Sequence, residues 1–338
     1  MFSFALGIGT KDTKGNFLEV YFPEPWLNPS EEQLAPLLKT LGYQGGNVTL
    51  EVPSVQVSML ASQVKDEDIS RLLGLLQEHQ EPLVAVILET DDNPRSVPEV
   101  YLKLQLLSHR LVKPHQININ GIFALLPNVA WTNEGAIAID ELPLRQIQAR
   151  LKGQVLDVLS VDKFPKMVNY VVPKGVRIAD TARVRLGAYI GEGTTIMHEG
   201  FVNFNAGTEG TAMIEGRISA GVFVGDHSDL GGGCSIMGTL SGGGTEVISV
   251  GKNCLIGANA GLGFPLGDRC TVEAGLYITA NTKVTVMDSD LNPVEVIKAR
   301  ELANKDDLLF IRNSTNGVVE CRTNKSKIEL NAELHSHN

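Results

Sequence analysis

The sequence predicts a mainly β protein whose central part is a parallel β-helix of hexapeptide repeats, flanked by an N-terminal α/β domain and a small C-terminal β-rich cap. Three observations support this fold class. Aliphatic residues recur every six positions between residues 172 and 284, glycine becomes frequent in the same region, and helical periodicity is confined to the first half. We place the domains at residues 1–165, 166–290 and 291–338.

The first half contains two helix signals of ordinary amphipathic type. Ser30 and Gln33 have the spacing of a capping box, and Gly42 supplies a stop. The apolar face of this first predicted helix consists of Leu34, Leu37, Leu38 and Leu41. A second face, preceded by the acidic residues 66–68, consists of Ile69, Leu72, Leu73 and Leu76.

Three further segments complete the predicted α/β domain. Residues 83–90, LVAVILET, form a continuous run that is apolar through Leu88 and rich in β-branched residues, which is typical of a buried strand. Residues 100–112 and 144–159 have the composition of helices. The sequence therefore predicts helices packed on at least one buried strand.

The central region shows a six-residue period in four runs. Its predicted inward residues are Val172, Ile178, Val184, Ile190, Ile196 and Val202, then Ile218, Val224, Leu230 and Ile236, then Val250, Ile256 and Leu262, and finally Leu266, Val272, Ile278 and Val284. Each hexapeptide forms a short strand and a turn, and stacked coils bury one another's aliphatic residues. The period itself does not fix the handedness of the coil.

The cysteines follow the same period. Cys234, Cys254 and Cys270 each precede a predicted inward residue by two positions, as small residues do elsewhere in the repeat. Four cysteines without a CxxC pair are too few for a disulfide framework. We therefore interpret the three as reduced, buried packing residues.

Charge and hydropathy exclude several classes of partner. The chain carries 29 Lys and Arg against 39 Asp and Glu, a net charge of −10, which disfavours nucleic acid. No apolar run reaches the roughly 18 residues of a membrane span, and no basic segment precedes the apolar N-terminus. We expect a cytoplasmic protein whose partners are small molecules.

The three interruptions of the period, at residues 203–216, 237–248 and 263–265, are where a site is expected. A β-helix has no internal pocket, so functional groups lie on its outside. Glu215 and Arg217 are two residues apart and would point to one side of a strand. They form either a surface ion pair or a carboxylate poised as base or nucleophile.

Other polar residues leave alternatives open. His198 and His227 are either structural or a general base, and they are too few for a three-histidine metal centre. Glu199 has the same phase as Glu215, so its carboxylates could share a divalent cation on a threefold axis. The glycine clusters at 231–233 and 242–244 either turn corners or present amides to a ligand.

Basic residues near the cap also allow two interpretations. Lys298, Arg300 and Arg312 either contact the phosphates of a nucleotide-like ligand or are simply solvated.

Several stretches together resemble a known family. MHEGFVNFNAGTEGTAMIEGRISAGVFVGDHSDLGGGCSIMGTLSGGG, GKNCLIGANAGLGFPLGD and VEAGLYITANTKV, together with DKFPKMVNYVVP and KARE, resemble the long-chain branch of the tetrahydrodipicolinate N-succinyltransferases. The resemblance extends from about residue 161 to the C-terminus. It implies a left-handed parallel β-helix and a homotrimer with active sites between subunits.

The resemblance also implies a reaction. A succinyl group passes from succinyl-CoA to the amino group of ring-opened tetrahydrodipicolinate, in diaminopimelate and lysine biosynthesis. The glutamate of the EGR motif is the catalytic residue of this branch, and here it is Glu215. It forms an acyl-anhydride in one scheme, and in the other a deprotonated amine attacks the thioester directly.

The resemblance further implies a set of ligand contacts. The succinyl-CoA contacts correspond to Arg217, Gly232, Ser235, Ala258, Glu273, Ala274, Asn281, Lys298, Ile311, Arg312, Asn313 and Ser314. The branch usually has glycine where Asn281 stands, which is compatible with a contact through the backbone amide. The family's magnesium ligand corresponds to Glu199, whereas a second acidic position falls on Ala182, so we expect at most one metal on the axis.

Two other functions remain as alternatives. A hexapeptide acyltransferase that uses acetyl-CoA would need His198 or His227 as its base. A catalytically silent scaffold would leave the polar residues in the interruptions unexplained.

Overall fold

The structure, a computed structural model, describes residues 1–63, 67–76, 83–238 and 246–324. The chain forms two compact units. The first contains Met1–Leu106 and Ile117–Pro165, and the second contains Leu107–Gln116 together with the chain from Lys166 onwards. No helix in the described ranges has the length and apolar character needed to cross a bilayer.

The first unit combines two antiparallel sheets with helices. Its strands are β1 (Ser3–Lys11), β2 (Phe17–Tyr21), β3 (Trp26–Leu27), β4 (Val48–Val52), β5 (Leu83–Leu88), β6 (Val129–Thr132), β7 (Gly135–Ala138) and β8 (Val158–Asp162). One sheet has the order β2-β1-β5-β4 with β3 beside β1, and the other has the order β7-β6-β8. All pairs within them are antiparallel.

The helices agree in part with the sequence prediction. They are α1 (Glu31–Thr40), α2 (Ser54–Gln63), α3 (Glu67–Leu76), α4 (Val97–Ser108, whose last two residues belong to the second unit), α5 (Ile122–Leu125) and α6 (Leu142–Leu151). The capping box of Ser30 and Gln33 is present, and the predicted strand is β5, with all six residues buried. The side chains of Ile69 and Leu72, and residue Asp66, lie outside the described part of the chain.

Two predicted helices have different limits. The helix predicted at 100–112 is α4, which ends earlier because Arg110 adopts a positive φ of 62°. The helix predicted at 144–159 ends at Leu151, since Gly153 has a φ of 72° and residues from Val158 onwards form β8. The prediction was wrong because apolar residues at the end of the helix and in the following strand together gave the spacing of one longer helix.

The second unit is a parallel β-helix with three faces. Face 1 consists of β9 (Arg177–Ile178), β11 (Thr194–Ile196), β14 (Ala212–Ile214), β17 (Asp229–Leu230), β20 (Leu255–Ile256) and β22 (Thr271–Val272). Face 2 consists of β12 (Phe201–Val202), β15 (Arg217–Ile218), β18 (Ser235–Ile236), β21 (Gly261–Gly263) and β23 (Tyr277–Thr279). Face 3 consists of β10 (Ala188–Ile190), β13 (Ala206–Thr208), β16 (Phe223–Val224) and β19 (Ser249–Val250).

The predicted inward residues form the core of these coils. Nearly all of them, and Cys234, Cys254 and Cys270, are buried in one continuous apolar cluster. The four cysteines of the chain are free thiols. The prediction fails at Val172, which is 66% exposed because it precedes the first strand of the coil.

The first interruption is much shorter than the sequence indicated. Val202, Thr208 and Ile214 continue the six-residue period through residues 203–214, since Thr208 is a fully buried inward residue. Its hydroxyl lies 2.7 Å from that of Thr194, which donates to the Gly210 carbonyl. A buried hydroxyl is tolerated here because it has hydrogen-bond partners.

The third interruption is short, whereas the second lies largely outside the described residues. Leu262 and Leu266 are only four residues apart, and Phe264 between them is buried in the core. The second interruption, with the predicted glycine cluster 242–244, falls largely on residues 239–245, which lie outside the described residues.

A small sheet covers one end of the coils. It contains β24 (Lys283–Met287), β25 (Pro293–Lys298), β26 (Leu308–Arg312) and β27 (Val319–Thr323), in the order β25-β24-β27-β26. β26 pairs in parallel with β22, so face 1 continues directly into this sheet. The edge of face 1 is thereby paired. Residues 325–338 of the predicted cap lie outside the described chain.

We expect Thr208→Val to lower the free energy of unfolding by about 1 kcal/mol, because the buried hydrogen bond with the Thr194 hydroxyl is lost at nearly constant volume. Gly191 N–H, which also donates to the Thr208 hydroxyl, keeps its bond to the Thr208 carbonyl. Urea unfolding followed by circular dichroism measures the change. Thr194→Val should cost more, since the Thr208 hydroxyl keeps only its bond from Gly191 N–H and the Gly210 carbonyl loses the hydroxyl donor of Thr194. The double variant should cost less than the sum of the two. A Thr208→Val protein as stable as wild type would contradict this account.

Candidate active site

The corner between face 1 and face 2 changes length in one coil. In three later coils the inward residue of face 1 and the next inward residue, on face 2, are six positions apart in the sequence, as Leu230 and Ile236 are. Ile214 and Ile218 occupy the same two columns but are only four residues apart. We call Glu215, Gly216 and Arg217 the short corner. The coil that contains it lacks two residues that its neighbours have.

Hydrogen bonds show which neighbouring residues overhang the short corner. Met197 N–H donates to the Ile214 carbonyl and Phe201 N–H to the Gly216 carbonyl, so His198 and Glu199 are the additional residues of the preceding coil. By the same comparison the additional residues of the following coil are Gly232 and Gly233. The short corner is therefore a notch between two longer corners.

Glu215 is fixed at its backbone and open at its side chain. Its N–H donates to the Leu230 carbonyl at 2.9 Å, and its carbonyl accepts from Gly233 N–H at 3.2 Å. Its Oε2 lies 3.4 Å from where a Cβ on Gly232 would be. Within the described ranges the half-buried carboxylate has no hydrogen-bond or ion-pair partner. Its oxygens are available to a ligand.

Gly216 and Cys234 form the floor beside this carboxylate. A Cβ on Gly216 would lie 2.3 Å from Cys234 Sγ and 2.7 Å from the Cys234 carbonyl oxygen, so only glycine fits. Burial, and then the negative charge of Glu215, raise the pKa of the Cys234 thiol to about 12. The thiol stays protonated at neutral pH, so Cys234 is a packing residue here and not a nucleophile.

Arg217 does not pair with Glu215, so the surface ion pair considered from the sequence is not formed between these described residues. Instead its Nε donates to Ser235 Oγ, in the next coil of face 2, at 3.2 Å. The guanidinium is exposed and retains further N–H donors. It is held in place and can still bind an anion.

Three backbone amides lie at the corner between face 1 and face 2 in three successive coils. The N–H groups of Gly232, Ala258 and Ala274 make no hydrogen bond within the part of the chain that the structure describes. A Cβ on Gly231 would lie 2.7 Å from Ala258 N, and one on Gly257 2.4 Å from Ala274 N, so consecutive corners are in close contact. The three amides form a row of donors that begins next to Glu215.

The predicted donor residues of the last coil and the cap are joined through Glu273. Its Oε2 accepts from Arg312 N–H at 2.7 Å, and Arg312 is the last residue of β26. Asn313 donates to Glu320 Oε1 at 2.7 Å. That bond and the nearby Arg322 lower the pKa of the buried Glu320 carboxyl. Glu320 therefore orients the 311–314 segment.

Glu320 was missed by sequence reasoning. The only available signal was a carboxylate inside the apolar run VVEC, which demands a polar partner once the run is buried.

Asn281 and Lys298 lie away from the short corner, where the chain enters β24 and leaves β25. Arg300 Nη2 donates to Asn281 Oδ1 at 2.8 Å, and Lys298 N–H donates to Glu301 Oε1 at 3.0 Å. The structure thus does not bring these two residues to Glu215. They lie at the end of the coils where the row of amides finishes.

Glu199 is exposed at the longer corner that precedes the short corner. Arg183 Nη2 donates to its carbonyl at 3.0 Å, and its Oε1 lies 3.6 Å from His198 Nε2. Among the described residues no group of three or more His, Cys, Asp or Glu side chains could hold a metal within one chain. Ala182 lies in a short 3-10 helix, Thr181–Arg183.

His227 is at a different corner, between face 3 and face 1. Its Nδ1 lies 2.8 Å from Asp226 Oδ2, and its backbone has a positive φ of 57°. The structure therefore does not place it beside Glu215 in the same chain.

Family models match three segments of the chain. Residues 53–124 match the model for the N-terminal part of tetrahydrodipicolinate N-succinyltransferase, and residues 126–166 match the model for its middle part. Residues 247–280 match the hexapeptide repeat of succinyl-transferase.

Full-length relatives are highly similar. The chain is 64% identical over 340 residues to the 2,3,4,5-tetrahydropyridine-2,6-dicarboxylate N-succinyltransferase of Pseudomonas putida, covering 100% of this chain and 99% of that protein. The protein of the same name from Pseudomonas aeruginosa is also 64% identical, with the same coverage. The one from Vibrio cholerae is 59% identical and covers 99% of each chain.

A solved structure shares the fold. It is a crystal structure from Campylobacter jejuni assigned as a 2,3,4,5-tetrahydropyridine-2-carboxylate N-succinyltransferase, with a TM-score of 0.89 and 32% identity. The match covers 96% of this chain and 93% of that one. The predicted fold class, a left-handed parallel β-helix with an N-terminal α/β domain, is confirmed. Identity at this level over the full length shows that the chain belongs to the tetrahydrodipicolinate N-succinyltransferase family.

Proposed function

We propose that Glu215 is the catalytic carboxylate of this acyltransferase and that the short corner is its acyl-transfer site. The chain transfers a succinyl group from succinyl-CoA to the amino group of ring-opened tetrahydrodipicolinate, in the diaminopimelate and lysine pathway. One observation carries the assignment of the site. The short corner leaves the Glu215 carboxylate without a described partner, 3.4 Å from the position that a Cβ on Gly232 would take, and the N–H of Gly232 has no partner among the described residues either.

The two groups suit the two needs of acyl transfer. The thioester carbonyl needs a nearby nucleophile or base, and its oxygen needs hydrogen-bond donors as negative charge develops. Glu215 supplies the first and Gly232 N–H the second. Coil stacking fixes the backbone of both residues, so little backbone reorganisation is required when the donor binds.

Two sequences of bond changes fit this geometry. In one, a Glu215 oxygen attacks the thioester carbon, CoA leaves as the thiolate, and the acceptor amine then attacks the resulting anhydride. In the other, Glu215 takes a proton from the acceptor ammonium, and the free amine attacks the thioester carbon directly and expels CoA as the thiolate. The two differ in whether the succinyl group is ever bonded to Glu215.

Arg217 is proposed to bind the distal carboxylate of the succinyl group. Arg217 is two residues after Glu215, and its guanidinium is exposed. Only its Nε is bonded to Ser235. The remaining N–H groups match a carboxylate, which acetyl-CoA does not have. The proposed donor contacts continue from Gly232 to Ala258, Ala274 and Glu273, then to Asn281, Lys298 and the residues Ile311, Arg312, Asn313 and Ser314.

We further propose a homotrimer that acts in the cytoplasm, where succinyl-CoA is made. Glu199 is an exposed carboxylate whose backbone is held by Arg183, and hard divalent cations favour such oxygen ligands. Three copies of Glu199 around a threefold axis would hold one magnesium ion. The ion would neutralise the repulsion between the three carboxylates and so stabilise the trimer.

We expect Glu215→Gln to reduce succinyl transfer at least about 100-fold, because neither a nucleophile nor a base remains. A thiol-release assay with tetrahydrodipicolinate generated in situ measures the rate. Glu295→Gln, an exposed carboxylate on β25, is the matched control. Near-normal turnover of Glu215→Gln would refute the carboxylate mechanism. A stoichiometric burst of CoA without acceptor would select the anhydride route.

We expect Arg217→Met to raise KM for succinyl-CoA roughly 10- to 100-fold, the effect of losing charge-assisted hydrogen bonds. The KM for acetyl-CoA should stay unchanged, since that donor has no distal carboxylate. Arg177→Met, an exposed arginine on β9, controls for loss of surface charge. Equal losses with both donors would show that Arg217 does not read the succinyl carboxylate.

We expect wild-type protein to sediment as a trimer with one bound magnesium ion, and Glu199→Gln to lose the ion. Sedimentation and elemental analysis measure the two properties independently of activity. Chelation should lower Tm in wild type and in Glu192→Gln, an exposed control carboxylate, but not in Glu199→Gln. Metal retained by Glu199→Gln would contradict the assignment.

A further inference from the structure

The outward residues of face 2 form one column along the coils. Its members, in successive coils, are Phe201, Arg217, Ser235, Gly261 and Tyr277. Two of them, Arg217 and Ser235, are donor contacts in the proposed function, and they touch each other at 3.2 Å. A ligand that lies along this column from Arg217 meets Gly261 and Tyr277 next.

Gly261 and Tyr277 are fitted to each other. A Cβ on Gly261 would lie 2.2 Å from Cδ2 and 2.3 Å from Cε2 of the Tyr277 ring. Gly261 is buried although it points outward, because the ring lies over it. The column therefore has no protruding side chain between Ser235 and the tyrosine ring, and its floor there is apolar.

Packing within the chain buries only about half of Tyr277. Its side chain remains 51% exposed, and its hydroxyl makes no hydrogen bond with any residue in the described ranges. A large aromatic ring on a rigid strand presents apolar area without conformational cost. The ring and the hydroxyl both face outward, toward whatever lies along the column.

The chemistry of the donor indicates which part of it meets this ring. Adjacent coils are about 4.8 Å apart, so Tyr277 lies about 14 Å along the column from Arg217. In coenzyme A the pantetheine arm joins the thioester to the phosphates. The thioester site is the short corner, and the cationic Lys298 and Arg312 lie at the other end of the coils. Tyr277 lies between the two.

We propose that Tyr277 is a further donor-binding residue, whose ring is the apolar wall against which the pantetheine arm of succinyl-CoA packs. The proposal rests on the proposed function, because that function places the thioester at Glu215 and Arg217. Gly261 is then small for two reasons, to seat the ring and to leave the arm room to pass. The hydroxyl of Tyr277 is free to bond an amide of the arm.

The test is steady-state kinetics of Tyr277→Ala with succinyl-CoA. We expect KM for succinyl-CoA to rise about tenfold, the effect of losing part of one buried apolar contact, while kcat changes less than about twofold. Competitive inhibition by pantetheine should weaken by a similar factor. Inhibition by adenosine 3′,5′-bisphosphate, which lacks the arm, should be unchanged.

Two variants control the result. Tyr277→Phe keeps the ring and should retain nearly all donor affinity. Val294→Ala, which removes an apolar side chain that is 64% exposed on β25, should have no effect. Unchanged Tm shows that Tyr277→Ala is folded.

Unchanged KM and unchanged pantetheine inhibition in Tyr277→Ala would overturn the proposal, as would a fall in kcat alone. Weaker binding of adenosine 3′,5′-bisphosphate only would overturn it in favour of an adenine contact. Wild-type protein that does not transfer succinyl would instead refute the proposed function.

Discussion

Parallel stacking of the coils fixes the position of every group on this β-helix. Each backbone N–H of a strand donates to the coil beside it, so a residue can move along the axis only if a whole coil moves. The inward aliphatic residues then lie in three columns, and the outward residues necessarily lie in columns too. Rows of chemically related groups, such as the corner amides of Gly232, Ala258 and Ala274, arise from this register alone.

A local departure from that register creates the proposed site. Shortening one corner by two residues leaves the columns on either side aligned, because Ile214 and Ile218 still occupy their places in the core. The neighbouring corners therefore overhang a notch instead of collapsing into it. Gly216 allows the shortened backbone to contact Cys234, and the carboxylate of Glu215 remains outside that contact. A rigid scaffold thus supplies an open carboxylate on a fixed backbone, without a loop.

The sequence predicted the columns well and the interruptions poorly, for a physical reason. Aliphatic residues at a fixed period identify the core, and the buried thiols follow the same phase. Thr208 broke the aliphatic pattern although it continues the column, because a hydroxyl with partners is as acceptable in the core as a methyl group. That one residue made a two-residue shortening look like an interruption of residues 203–216. Val172 lies six positions before Ile178 and so fits the period by chance, although it precedes the first strand of the coil.

Contacts made by the backbone would let the proposed donor site tolerate substitution. Gly232, Ala258 and Ala274 present amides, and the close approach of consecutive corners limits their side chains more than any ligand does. Asn281 fits this logic, since its side chain is turned aside to Arg300 and its backbone stays accessible. In the proposed site, side-chain identity matters instead at Glu215, Arg217 and Tyr277, where the charge or the shape of the side chain would contact the donor. The proposed site therefore depends on few side chains, while the register of the coil positions the backbone amides.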